Sequence, residues 1–172
     1  MASYHGFFGK LPARGDFVSA GLPRDFVSHW DAWICGVLPA ALLAGREGWL
    51  QAPAWRFRLA PGMCGSRPAA GLLFPSHDKV GRLFPLTLAW LGDSPDDAAL
   101  AAAEELGRTV IAEAMPPGTL AQRLTEIPAA AAQHAAVAGS RWQQAHARRQ
   151  SLLLPALPDA RQFAAMTTAV EA

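Results

Sequence analysis

The chain has 172 residues, of which 51% are hydrophobic and 17% charged, and its 15 basic and 14 acidic side chains leave a net charge of +1. A chain of this length can build one domain around a sizeable hydrophobic core. Its hydrophobicity excludes an intrinsically disordered protein, and its balanced charge gives no basic face of the kind that binds nucleic acid.

The first quarter of the chain predicts a strand, a loop and a helix. Residues 4–8 are aromatic and bounded by glycines, which favours a strand, and the glycines and prolines of residues 9–23 predict a loop. Pro23 suits the first turn of a helix. The helix itself is predicted by apolar residues at i, i+3, i+4 and i+7, namely Phe26, Val27, Trp30, Trp33, Ile34, Val37, Leu38 and Ala41. Pro39 is expected to kink or restart this helix, because proline removes a helical hydrogen bond.

Three strands are predicted next. The first, residues 54–59, alternates Trp55, Phe57 and Leu59 on one face with Arg56 and Arg58 on the other. Residues 69–74 and 83–91 are continuously apolar, as in central strands that are covered on both faces. Residues 76–82 are short enough for a hairpin-type connection between them. Because proline cannot donate to a sheet, the third strand is expected to begin after Pro85 or to carry a bulge there.

Most of the second half predicts helices. Ser94 as N-cap, Pro95 at the first position and two acidic residues in the first turn predict a helix start. Residues 115–118 (MPPG) are expected to end that helix, and Thr119 is expected to cap a further helix through about Ile127. The alanine-rich residues 128–138 favour either a helix or a loosely packed linker.

Residues 140–154 leave two structures open, an edge hairpin around residues 146–149 or an extension of the preceding helix. Asp159 with Gln162 resembles a capping box. The face that carries Phe163, Met166, Thr167 and Val170 predicts a last helix. From this order we expect an α/β fold, a three-layer α-β-α sandwich with a mixed central sheet, as a single domain over residues 1–172.

The sequence contains no established catalytic or metal-binding motif. It has no GxSxG elbow, Walker A loop or HExxH helix, and its aspartates follow no metal-ligand spacing. We therefore predict a protein that is not an enzyme and that holds no metal or cofactor. The alternative is an uncharacterised enzyme that uses Asp16, Asp78 and His77, although adjacent side chains on an extended segment point to opposite faces.

Five charged residues in glycine-rich loops are the candidate functional residues, namely Lys10, Arg14, Asp16, Asp78 and Arg82. Such residues can form internal ion pairs that fix the conformation of the loops. They can also surround one surface patch, where arginine side chains are available to carboxylates or phosphates. The first interpretation makes them loop-organising residues and the second makes them partner-binding residues.

The two cysteines and the N-terminus indicate where the protein resides. Cys35 and Cys64 form no CxxC pair, which favours reduced thiols in the cytoplasm, and a single disulfide stays open as the alternative. The N-terminus lacks the basic region and apolar run of a signal peptide, and the longest apolar stretches are too short to span a bilayer. We expect a cytoplasmic protein that does not insert directly into a membrane.

Five blocks of the sequence follow one another in a recognisable order. They are GFFGKLPARGDF at 6–17, Leu22-Pro23 with Trp30, Asp31 and Trp33, WRFRLAPG at 55–62 with Cys64-Gly65, Pro75-Ser76, Asp78, VGR and FPL at 75–86, and Leu157-Pro158-Asp159 with Phe163. Together they resemble the TagF family of type VI secretion-associated proteins. The first block is similar to the family's opening glycine, aromatic and RGDF pattern. The resemblance is weakest over residues 115–155, where the family tends to have an aromatic-rich strand and this chain has Trp142.

The resemblance implies a bacterial cytosolic regulator, generally a post-translational repressor of type VI secretion assembly or firing. Family members are linked to the forkhead-associated scaffold protein of that system, which is therefore the expected partner. The resemblance implies no active site. Some members carry a fused phosphatase domain, for which this chain is too short. A structural accessory subunit of the secretion machine is a further alternative.

Overall fold

The structure, a computed structural model, describes residues 3–128, 137–146 and 150–168. In chain order its elements are β1 (Tyr4–Gly9), β2 (Val18–Ala20), α1 (Arg24–Ala41), a 3-10 turn (Leu42–Ala44), α2 (Gly45–Leu50), β3 (Trp55–Leu59), β4 (Ala69–Phe74), β5 (Leu86–Leu91), α3 (Asp97–Ala112), α4 (Pro117–Thr125), β6 (Ser140–Gln144), β7 (Ser151–Leu154) and α5 (Ala160–Met166).

The strands of the described residues form one sheet in the order β2-β1-β5-β4-β3-β6-β7. Every pairing is antiparallel. The predicted α/β fold is confirmed, but the predicted mixed sheet is wrong. A parallel pair needs a crossover between neighbouring strands, usually through a helix. Here α1 leads from β2 to β3, and β1, β5 and β4 lie between them in the sheet.

Helices cover both faces of the sheet, which gives the three predicted layers. The core on one face joins α1, α2 and α5 to the sheet through Trp30, Ile34, Trp49, Phe57 and Phe163. The core on the other face joins α3 and α4 to it through Leu72, Leu88, Leu100, Val110 and Leu120. Each fully buried side chain of this kind contributes about 1.5–3 kcal/mol relative to an exposed one. The two cores therefore hold the loops at the strand ends on a rigid base.

The apolar stripe of α1 packs against the sheet as its spacing predicts, with Phe26, Trp30, Ile34, Val37, Leu38 and Ala41 buried. The helix includes Pro39 and ends at Ala41, where it tightens into the 3-10 turn before α2, a helix that the sequence did not predict. By length and composition alone the run Arg24–Leu50 would suffice to cross a membrane, a test that the core helix of a soluble protein also passes.

Several local predictions agree with the structure. β4 has the predicted bounds, and β5 begins at Leu86, directly after Pro85. Residues 140–144 and 151–154 form the hairpin β6–β7, so the alternative of a helix extension is wrong. The Asp159 carboxylate accepts a hydrogen bond from the Gln162 backbone N–H at 2.8 Å, as the capping box predicts.

Other local predictions are wrong. The N-cap of α3 is Asp96, whose carboxylate accepts from the Ala99 N–H at 2.8 Å, whereas the Ser94 hydroxyl lies 2.6 Å from an Arg58 nitrogen. Thr119 lies inside α4 rather than at its cap, and the predicted loop over residues 9–23 contains β2. Three predicted features lie outside the described residues, in whole or in part: residues 129–136 of the alanine-rich segment, residues 147–149 of the predicted turn, and Val170.

Candidate functional site: a charged loop surface

Two loops meet at one end of the sheet and carry all five predicted site residues. Residues 10–17 connect β1 to β2, and residues 75–85 connect β4 to β5. The Lys79 backbone N–H donates to the Arg14 carbonyl at 2.8 Å, which joins the loops directly. The second loop closes on itself, since the Asp78 N–H donates to the Arg82 carbonyl at 3.0 Å. Lys10, Asp78 and Arg82 are thereby brought together, although 68 residues separate the first two.

The Asp78 carboxylate is the centre of this arrangement and is fully buried. Its Oδ2 accepts from Lys10 Nζ at 3.0 Å and from Arg82 Nε at 2.7 Å. Its Oδ1 accepts from the backbone N–H groups of Val80 at 3.0 Å and of Arg82 at 2.9 Å. Both oxygens are therefore engaged, and the buried charge has the partners that such a charge requires.

The protonation of Asp78 follows from these contacts. Burial alone would raise the pKa of the Asp78 carboxyl, but the hydrogen bonds from the Arg82 backbone, Lys10 and the Arg82 guanidinium outweigh burial and hold the pKa well below its ordinary range. Asp78 is a carboxylate whose hydrogen-bonding capacity is used by the loop itself. A general base needs a free oxygen within reach of the proton it takes, and Asp78 offers none in this arrangement.

The other members of the hypothetical acid–base set lie apart from that carboxylate. His77 Nδ1 lies 2.8 Å from the Asp78 backbone carbonyl, so this contact joins the imidazole to the backbone of Asp78 and not to its carboxylate. Asp16 is exposed, and no hydrogen bond joins it to His77 or Asp78 among the described residues. The geometry gives Asp78 a loop-organising role.

The loops are also held from beneath by side chains of neighbouring elements. Ser76 Oγ donates to the Lys10 carbonyl at 2.8 Å, and the buried Trp49 Nε1 donates to the Ser76 carbonyl at 2.9 Å. Arg46 Nη1 donates to the Gly81 carbonyl at 2.6 Å, at a backbone position with φ +91° that favours glycine. These bonds fix the loop conformation to α2 and the core beneath it.

An aromatic group lies beside the ion network. Lys10 Nζ lies 5.0 Å from the centroid of the Phe17 ring, within cation–π distance. Phe17 stacks on Phe8 at 5.8 Å and packs edge-on against Phe84 at 4.8 Å, yet 52% of its surface is exposed. Phe17 completes the RGDF motif of the first block but is not among the five predicted site residues, because the sequence alone marks only the charged residues of these loops.

The remaining residues present an exposed surface. Arg14 is exposed, and its Nη1 donates to the carbonyl of the adjacent Ala13 at 3.2 Å. The Arg82 side chain is 60% exposed while it contacts Asp78, and its Nη2 donates to the Gly15 carbonyl. Val80 is 72% exposed, an unusual position for a β-branched apolar residue in a charged loop. We call Arg14, Asp16, Phe17, Lys79, Val80 and Arg82 the loop surface.

Neither a metal-ligand cluster nor a disulfide is present among the described residues. Within residues 3–128, 137–146 and 150–168, no group of three or more His, Cys, Asp or Glu side chains is placed to hold a metal ion. Cys35 and Cys64 are both free thiols, so the disulfide alternative is wrong. Burial raises the pKa of the Cys64 thiol to about 11, which keeps it protonated and unreactive at neutral pH.

Comparisons with known proteins place the chain beside a protein family and a solved structure. Residues 6–127 match the family described as TagF N-terminal domain, Type VI secretion system-associated. The structure resembles the crystal structure of PA0076 from Pseudomonas aeruginosa PAO1 at 2.05 Å resolution, with a TM-score of 0.81 and 28% sequence identity, over 98% of this chain and 96% of the other. A comparison with functionally curated proteins gives no match.

Proposed function

The chain belongs to the TagF family of type VI secretion system-associated proteins, and from this premise we propose that it is a cytoplasmic repressor of that secretion machine. It acts by binding the forkhead-associated scaffold protein of the system. Binding, rather than catalysis, is the mode of action. The loop surface is the binding face, and one observation supports this choice: a buried ion network fixes two loops whose outer residues remain available.

The loop surface has the composition of a protein-binding face. Phe17 and Val80 contribute exposed apolar surface, and Arg14, Lys79 and Arg82 of the same two loops are exposed cations. Aromatic residues and arginine are enriched at the energetic centres of interfaces. Arg82 already pairs with Asp78, and the exposed Arg14 and Lys79 outnumber the one exposed acidic residue of these loops, Asp16, so the complementary face of the partner is acidic. Such complementarity raises association rates and sets specificity.

Rigidity of the loops contributes to this function. Ordering an interface side chain costs roughly 0.5–1.5 kcal/mol on binding. Two sets of contacts already order these loops in the folded chain, the Lys10–Asp78–Arg82 network and the Trp49–Ser76–Lys10 chain of hydrogen bonds. Less ordering therefore remains to be done when the loop surface binds its partner. Lys10 and Asp78 thus support binding without contacting the partner.

Titration of the purified scaffold protein against this chain tests the proposal. Val80→Asp replaces an exposed apolar side chain of the loop surface with a charge, and because Val80 is 72% exposed the fold should not change. We expect binding to weaken at least tenfold, with the melting temperature unaltered. Leu153→Asp is the matched control, since Leu153 is 71% exposed on β7, at the opposite edge of the sheet from β2.

Arg14→Ala supplies a second measurement with a different signature. Loss of a charge at the rim should lower the association rate and flatten its dependence on salt, with a smaller effect on dissociation. Arg161→Ala, an exposed arginine of α5, removes the same charge elsewhere. Equal effects of the two arginine variants would contradict the choice of face, while absence of scaffold binding by the wild type would contradict the proposed partner.

Repression is measured in cells as secretion of a type VI substrate. Removal of this chain should increase secretion, and expression of the wild type, but not of Val80→Asp, should restore the lower level. Reduced secretion after removal would instead favour the structural accessory subunit, because a machine cannot work well without a component it is built from.

A further inference from the structure

A second group of charged residues lies on the sheet, on the face opposite to α1. Arg56 and Arg58 project from β3 on this face, and the β3–β6 register sets Arg56 opposite Gln143 and Arg58 opposite Arg141. A cavity of about 280 Å³ opens between these residues and the start of α3. Three of its lining side chains are arginines, and the carboxylate of Asp97 is the acidic member of the lining.

Arg56 is buried but incompletely bonded. Its Nε donates to Glu104 Oε1 at 2.5 Å, and both side chains are more than nine-tenths buried. Among the described residues its buried Nη1 has no hydrogen-bond partner, and its ion pair with Asp97 Oδ1 is, at 3.6 Å, longer than a hydrogen bond. A buried charged group with an unused donor is costly and is rarely left without a reason. Asp97 is 71% exposed, so solvent surrounds most of the one side chain that lies close to this donor without bonding it.

Arg58 and Arg141 add an unfavourable pair of like charges. Directly opposite residues on antiparallel strands have Cβ atoms about 5 Å apart, so equal charges there repel. Arg58 donates to Ser94 Oγ at 2.6 Å and to the Pro95 carbonyl at 3.2 Å, both neutral acceptors. Burial lowers the pKa of the Arg58 guanidinium, the Asp97 carboxylate opposes that shift, and Arg141 and Arg56 add to it.

The local charge therefore favours an anion. Three guanidinium groups face two carboxylates, of which Glu104 is committed to Arg56 and Asp97 is mostly in solvent. An anion bound between Arg58 and Arg141 would attract both guanidinium groups and so offset the repulsion between them.

We propose that this cavity is a binding site for a small phosphate-bearing anion, held by Arg56, Arg58 and Arg141. Arginine presents planar pairs of N–H donors that match phosphate oxygens, and three arginines can serve three oxygens of one phosphoryl group. A carboxylate has two oxygens and would leave one guanidinium without a partner. The cavity is near the lower limit of ligand pockets, about 300 Å³, which suits a phosphate with a small substituent.

This site is independent of the loop surface. It lies on β3 and β6, whereas the loop surface belongs to the β1–β2 and β4–β5 connections. Substitutions in the cavity should therefore leave scaffold binding by the loop surface unchanged in the absence of added phosphate. The scaffold titration and the anion titration therefore test the loop surface and the cavity separately, and either proposal can fail while the other holds.

Calorimetric titration of the full chain with pyrophosphate and with inorganic phosphate tests the proposal, at an ionic strength kept constant with sodium chloride. We expect saturable binding of one pyrophosphate and weaker binding of phosphate. Arg141→Ala should weaken pyrophosphate binding roughly tenfold or more, the effect of losing one charge-assisted hydrogen bond. Arg141 is exposed, so this variant should fold.

Two comparisons make the test selective. Arg161→Ala removes the same charge from α5, on the other face of the sheet, and should bind pyrophosphate as the wild type does. Arg58→Lys keeps the charge but loses the planar pair of donors, and should weaken binding several-fold. No saturable binding of pyrophosphate by the wild type, equal weakening in Arg141→Ala and Arg161→Ala, or tighter binding of citrate than of pyrophosphate would each overturn the proposal.

Discussion

Replacing Glu104 with glutamine tests the buried ion pair that joins α3 to β3. The Arg56 and Glu104 side chains are only 6% and 7% exposed, and their Nε and Oε1 atoms are 2.5 Å apart. Glutamine keeps nearly the same shape and one acceptor oxygen but removes the charge. Arg56 would then be buried with a single carboxylate in its vicinity, that of Asp97 at 3.6 Å.

The magnitude follows from the distance and the burial. Two unit charges about 4 Å apart at an effective dielectric constant of about 20 attract each other by roughly 4 kcal/mol. Desolvation of both ions offsets part of this attraction, and removal of one partner of a buried pair typically destabilises a protein by about 3–5 kcal/mol. For a chain of this size that corresponds to a fall in melting temperature of roughly 6–20 °C.

Urea unfolding of wild type and variant measures this loss, with the slope of the transition checked for equality. Glu105→Gln is the matched control, because Glu105 is the next residue, is 76% exposed and lies 3.8 Å from Arg108. An exposed pair of this kind contributes about 0–1 kcal/mol. If Glu104→Gln costs no more than Glu105→Gln, the pair does not hold α3 to the sheet. Pyrophosphate should recover part of the loss if Arg56 binds the anion.

Further predictions concern pH, packing and capping. Because the folded pKa of Asp78 is held below its ordinary value of about 3.9, its contribution to stability is complete above about pH 4 and is lost as the pH falls further; unfolding experiments from pH 7 to pH 3 should show the stability gap between wild type and Asp78→Asn narrowing below pH 4. Gly107→Ala should destabilise by about 1–3 kcal/mol, because a Cβ at Gly107 would collide with the Phe74 ring. Gly36→Ala, where a Cβ meets open space, should stabilise α1 by roughly 0.5–1 kcal/mol in the same assay. Asp159→Ala should lower the free energy of unfolding by about 0.5–2 kcal/mol, since it removes the capping box of α5.

Local features of the fold could be predicted because they depend on local spacing. The alternation of Trp55, Phe57 and Leu59 identifies the buried face of β3, and the stripe through Trp30 and Ile34 identifies the buried face of α1. Pairing of the strands could not be predicted in the same way. The sheet order β2-β1-β5-β4-β3-β6-β7 depends on contacts between distant residues, so the direction of neighbouring strands is not visible in any one segment.

The candidate site shows the same division. Sequence motifs selected the loops that carry Lys10, Asp78 and Arg82, but they could not show which charges are internal. Asp78 is buried because a loop 68 residues away supplies Lys10 as its partner. Ser94 was predicted as a helix cap on local grounds, and the competing partner, Arg58, lies 36 residues away. A polar side chain with two possible partners is assigned by tertiary structure, not by its neighbours in sequence.

The two charged regions differ in how completely their polar atoms are bonded, and this difference separates their roles. Every oxygen of the Asp78 carboxylate has donors from the protein itself, so its network needs no ligand and serves to fix the loops. The arginine cavity is different, because Arg56 keeps an unused buried donor and Arg58 faces Arg141. A fold tolerates such a cost where a ligand removes it. The loop network is therefore part of the structural framework of this chain. The cavity is the place where a bound anion would add to the stability of the folded chain.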